Sequence, residues 1–135
     1  MTKARLIKRA DEVCFRWNYR NSLLRANTPR VRIDPSLPQK TRDKVASILR
    51  RFAANVGNQV DELSNLNPPE SMQSDWNSAL GRMDTFSQSI DAAADAAKKG
   101  DKAAYRNATS DAVSDASGLG PLFRRYGFHA CGGVG

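Results

Sequence analysis

Apolar residues between Met72 and Ala97 recur about every 3.5 positions over almost four heptads: Met72, Trp76, Ala79, Leu80, Met83, Phe86, Ile90, Ala93, Ala94 and Ala97. This period belongs to a helix with one apolar face, and a face of that length needs other helices to cover it. The stretch is also delimited. Asn67-Pro68-Pro69-Glu70 offers an Asn cap, prolines where a missing amide costs nothing, and a Glu near the positive end of the helix dipole. Lys98-Lys99-Gly100 offers a cationic last turn and a glycine stop.

The neighbouring stretches repeat the pattern. Leu6, Ala10, Val13, Cys14, Trp17 and Leu24 form a first stripe, and Val45, Ile48, Leu49, Phe52, Val56, Val60 and Leu63 a second. Pro29, Pro35 and Pro38 make residues 27–38 a Pro-rich loop, and Ser36-Leu37-Pro38-Gln39 reads as a capping box opening the second helix. Asp101 caps a fourth helix striped by Tyr105, Ala108, Ala112, Ala116, Leu119, Phe123 and Tyr126. Gly118, Gly120 and Pro121 interrupt it, so a kink or break is expected at Gly118–Pro121, with Gly127 ending the element and residues 128–135 forming a tail. No segment alternates with period two. The expectation is an all-α chain, 1–135 as one domain, folded as an antiparallel up-down-up-down four-helix bundle. At 135 residues such a chain has enough surface to bury a core, and its apolar runs are far too short to span a bilayer.

An up-down-up-down bundle puts the end of the fourth helix beside the start of the first. Cys14 would then stand about 11 residues, or ~16 Å, up its helix, just within reach of a short extended tail carrying Cys131. The spacing leaves two readings open: a bridge, or two buried free thiols in a cytosolic protein. Ala10-Asp11-Glu12-Val13-Cys14 at the start, Leu66-Asn67-Pro68-Pro69-Glu70 at a turn, Gly100-Asp101 at a hinge and Tyr126-Gly127-Phe128-His129-Ala130-Cys131-Gly132 at the end carry a resemblance over nearly the whole chain. The sequence resembles small actinobacterial secreted or lipoprotein-type all-helical proteins of unknown function. That resemblance implies a Cys14–Cys131 bridge and export, and it brings no catalytic residues. The chain departs from it in its unusually basic first helix, and no 7–15-residue apolar block follows Lys3, Arg5, Lys8 and Arg9, so no secretory leader is visible within this chain.

The formal charge of +7 hides an asymmetry. Residues 1–55 hold 14 Lys and Arg against 4 Asp and Glu, whereas residues 56–135 hold 7 against 10. Arg16, Arg20, Arg25, Arg30 and Arg32, interleaved with Phe15, Trp17 and Tyr19, are the candidate anion-binding residues. Their composition suits phosphate contact and base stacking, an anionic envelope surface, or the acidic helices of the same bundle. No reading helix or strand platform for nucleic acid is evident.

Other chemistries find little support. With His129 the only histidine, no multi-His metal site can be built within one chain, and a Cys131–His129 pair lacks an orienting third group. Tyr126 or His129 beside Phe123 and Phe128 could hold a flat ligand, but aromatics at helical spacing are more often core. Asp91, Asp95, Asp111 and Asp115 read as a solvated acidic face rather than a cation site, and Asn107-Ala108-Thr109 is a sequon set inside a helix. No phosphate loop, HExxH, GxSxG or dinucleotide fingerprint occurs. The expectation is a non-enzymatic binding or structural module without catalytic residues, metal or cofactor. It would be extracytoplasmic and envelope-associated, with an anionic envelope component or acidic protein as partner. The alternatives are a cytoplasmic nucleic-acid-associated protein and a carrier of a small apolar ligand.

Overall fold

The computed structural model of the protein describes residues 1–132; the remainder of the expected tail, 133–135, lies outside the described residues. Five helices follow one another: α1 (Lys3–Ala26), α2 (Gln39–Ser64), α3 (Gln73–Lys99), α4 (Lys102–Ser117) and the short α5 (Leu119–Arg125). α4 and α5 are the expected fourth helix, broken at Gly118. The molecule is an antiparallel four-helix bundle, with no strand among the described residues.

Each apolar stripe becomes a buried face. α3, about 40 Å long at 1.5 Å per residue, is the central helix: it buries Trp76, Met83, Phe86 and Ile90 along one half and Ala93, Ala94, Ala96 and Ala97 along the other. The alanines let α2 and α4 approach closely. Gly100 stops α3 in the left-handed region at φ 71°, with its N–H on Ala97 O, and Asp101 then caps α4 through Ala104 N–H at 3.0 Å, as the sequence predicts.

Two helix starts differ from expectation. Ser36 does not cap α2; its hydroxyl and amide both donate to the Asp34 side chain, and the helix begins only after Pro38. Asn67 does not cap the next helix either; a 3-10 turn at Glu70–Met72 follows Pro69 and leads into α3. One steric rule explains both. The residue before a proline is pushed out of the α region, so Leu37 before Pro38 and Pro68 before Pro69, each at the expected first helical position, disfavour a first turn there.

The bundle has two levels. α1 runs antiparallel to α2 with Arg16 opposite Glu62 and Asn21 opposite Asn55, so it ends about halfway along its neighbour. Beyond that point the loop 27–38 takes its place, and Ile33 packs with Val45, Ala46, Ala94 and Ala97. α4 packs on α3 and has no close backbone approach to α1 among the described residues. The end of the chain makes that closure. Phe128 stacks on Trp76 at 6.0 Å and meets Phe123 edge-on at 5.3 Å, while Gly132 (φ 97°) crosses α5 so closely that a Cβ there would stand 3.1 Å from Gly120 Cα.

Cys131 reaches Cys14 in the first helix, with the sulfurs at a disulfide distance of 2.10 Å and the Cα atoms 5.1 Å apart. Beside this pair, the Asp11 carboxylate accepts from the backbone N–H groups of His129, Ala130 and Cys131 at 2.9–3.2 Å. Asn18 Nδ2 donates to Ala130 O at 3.0 Å. Three consecutive amides on one carboxylate fix the tail along α1.

Candidate functional site

α1 carries two unlike faces. Its inner face buries Leu6, Ala10, Cys14, Trp17, Asn21 and Leu24. Its outer face presents Phe15, Tyr19 and Leu23, four residues apart and therefore in line, 71%, 61% and 49% exposed. This line is about 12 Å long. Exposed Arg5, Lys8, Arg9, Arg20 and Arg25 lie on the same helix, and none of them makes an ion pair among the described residues. The only acids on the helix are Asp11, turned to the tail amides, and Glu12. A helix that carries both an exposed aromatic line and exposed arginines attracts anions and offers apolar area to whatever carries them.

The five arginines predicted from sequence do not act together. Arg16 forms a two-pronged pair with Glu62 of α2, at 3.3 and 2.9 Å, and Trp17 Nε1 donates to the same carboxylate at 3.1 Å. Arg16 is thus partly used for internal complementarity. So is Arg50, a residue outside the predicted set, which pairs with Asp91 and Asp95 of α3. Arg20 lies over the Trp17 ring at 4.5 Å from its centroid, which pre-orients the guanidinium at the edge of the outer face. Arg20 also lines, with Arg51, Asn27 and Asn55, a cleft of about 300 Å³ between α1 and α2 next to Leu23. Arg25 stands on α1 away from these. Arg30 and Arg32 belong to the loop, where Arg32 faces α4 rather than α1.

Sequence reasoning put Trp17 on the apolar stripe and Phe15 and Tyr19 within the basic run, but did not join Leu23 to them as a second face. The signal was present. Trp17 shares the spacing of Cys14, Asn21 and Leu24, whereas Phe15, Tyr19 and Leu23 follow an independent four-residue period. Asp11, Arg51, Lys102 and Arg106 were missed because their roles depend on chain segments far away in sequence.

The remaining candidates resolve into structure. Cys131 is bonded to Cys14 and has no thiol to offer His129, whose amide is held by Asp11. The rings of Phe123 and Phe128 fill their own surroundings with Trp76; the void beside them, about 10 Å³, has room for roughly one water. Tyr126 donates to Asp75, which also pairs with Arg125 at 3.1 Å. Asp91 and Asp95 face Arg50, Asp115 accepts from Ser89, and no cluster of three metal-ligating side chains occurs among the described residues. The sequon hydroxyl of Thr109 donates to Tyr105 O inside α4. No described helix is long and apolar enough to cross a membrane. No family model, curated protein or solved structure matches the chain.

Proposed function

We propose that the protein is a non-enzymatic, exported binding module that docks on the anionic lipid surface of the cell envelope through the outer face of α1. The observation that carries this reading is the exposed line Phe15–Tyr19–Leu23 on a helix that also carries five exposed cations without an ion pair among the described residues. A helix lying in a membrane interface needs this combination. Its aromatic and aliphatic side chains enter the headgroup boundary, and each Lys or Arg near an anionic surface adds about 1 kcal/mol. The face is convex and only three apolar side chains long, too little by itself for a protein interface of about 1,000 Å². A lipid surface makes no such demand for a shaped counterpart. Export agrees with the Cys14–Cys131 pair, because disulfides persist in oxidising compartments.

Co-sedimentation tests the reading. The oxidised protein is expected to bind vesicles containing phosphatidylglycerol, to ignore vesicles of phosphatidylcholine alone, and to be released by salt. The Phe15→Ser/Tyr19→Ser variant keeps its fold, because both rings are exposed, and loses at least about tenfold in vesicle binding. Binding that survives this variant, or a preference for mixed oligonucleotides over anionic vesicles at equal ionic strength, overturns the proposal. The second outcome would return the arginine-rich helix to nucleic acid.

A further inference from the structure

Three cations from two distant stretches of chain converge on one cleft, away from the outer face of α1. Arg32 in the loop, and Lys102 and Arg106 on the first turns of α4, line a cavity of about 350 Å³ together with Ile33, Tyr105 and Thr109. This volume is at the lower end of the range for small-molecule sites. No carboxylate lines the cleft, and none of the three cations is in an ion pair among the described residues. The nearest acids along the chain lie outside the cleft lining, although the Asp34 carboxylate is close enough to Lys102 to be stabilised by its charge. Asp34 holds the amides of Ser36 and Leu37, and Asp101 holds that of Ala104.

The walls are fixed. Ile33 is buried against Ala94 and Ala97, and the Thr109 hydroxyl is bound to backbone carbonyls of its own helix. The Tyr105 phenol is half-buried and has no hydrogen-bond partner among the described residues. Burial pushes its pKa up from an ordinary value at which the phenol is already a neutral donor. Two guanidiniums and an ammonium around one cavity match a dianion with several oxygens, and Arg in particular presents paired donors to such a group. Ile33 and the Tyr105 ring supply an apolar surface for the body that carries it.

We infer that this cleft binds a phosphomonoester on a small aromatic or aliphatic body, with Arg32, Lys102 and Arg106 on the phosphate and Tyr105 and Ile33 against the body. The ester could come from a soluble metabolite-sized molecule or from a lipid headgroup. The site does not depend on α1, so it stands or falls separately from envelope docking.

Amide NMR titration at low ionic strength tests it, with phenyl phosphate, inorganic phosphate and vesicles containing phosphatidic acid as probes. Phenyl phosphate is expected to shift the amides of residues 31–33 and 102–109 and to bind several-fold more tightly than inorganic phosphate. The Arg32→Gln/Arg106→Gln variant should weaken phenyl phosphate by at least about tenfold without changing the melting temperature, because both side chains are exposed. Measured in the Phe15→Ser/Tyr19→Ser background, which removes docking through α1, phosphatidic acid binding that is lost on adding the Arg32→Gln/Arg106→Gln pair assigns the ester to a lipid, and binding unaffected by that pair assigns it to a soluble molecule; both agree with the site. Phenyl phosphate shifts that map elsewhere, or an affinity unchanged in the double variant, overturn it.

Discussion

Replacing Cys14 and Cys131 together by alanine tests how the first helix is held. Both sulfurs are buried, and alanine avoids the orphaned hydroxyl that serine would leave there. The cross-link closes a loop of 117 residues, for which the chain-entropy relation gives about 4–5 kcal/mol at 25 °C. With an unfolding entropy of about 2.1 cal/mol/K per residue over 135 residues, that loss lowers the melting temperature by roughly 15 °C.

The loss should be uneven across the molecule. α1 adds Leu6, Ala10 and Leu24 to the apolar core but also meets α2 through the polar pairs Trp17–Glu62 and Asn21–Asn55, and buried Asn21 and Gln59 each keep an amide atom without a partner among the described residues. α2 and α3, by contrast, meet through Phe52–Phe86, Ala53 and Val56. Once untied, α1 therefore opens before α2 and α3 do. Calorimetry on the wild type, the reduced wild type and the double variant measures the global loss, and hydrogen exchange locates it. If both reduction and the variant leave the melting temperature within about 2 °C, or if α3 amides lose protection before those of α1, the reasoning fails.

Three further outcomes follow from single contacts. Asp11→Ala removes the acceptor of three tail amides and should cost about 1–2 kcal/mol in urea melts, with Asp11→Asn in between, because it keeps one oxygen. Gly100→Ala forces a side chain into the left-handed region with a Cβ 3.1 Å from Asp34 O; a loss of about 1–3 kcal/mol is expected, and an unchanged midpoint would refute the strain. The carboxyls of Asp34, held first by the Ser36 hydroxyl, and Asp95, held by Arg50, lie below their ordinary value of 3.8. A depressed folded value means that their contribution is present above that pH and fades as pH falls through the lower folded values. Melts from about pH 6 to about pH 3 should show this slope, and Asp95→Asn should flatten part of it.

What the sequence determined by itself are the properties that depend on neighbours within a turn or two. The stripes of α1 to α4, the stop at Gly100, the cap at Asp101 and the break at Gly118 all follow from periodicity, glycine conformational freedom and proline sterics. Even the two misplaced helix starts, at Ser36 and Asn67, were legible in the effect of proline on the residue before it. Leu23, in line with Phe15 and Tyr19, was there to be read as a second period.

Tertiary structure alone decided which charges are spent and which are left to act. Arg16 and Arg50 find carboxylates on neighbouring helices, whereas Arg32 finds Lys102 and Arg106 some 70 residues away along the chain. It also decided that the tail, rather than α4, closes the bundle against α1, through Asp11 and Cys14. Pairings over such separations are set by how whole helices offset one another. That offset comes from the sum of many weak packing contacts, and no local pattern in the chain records it.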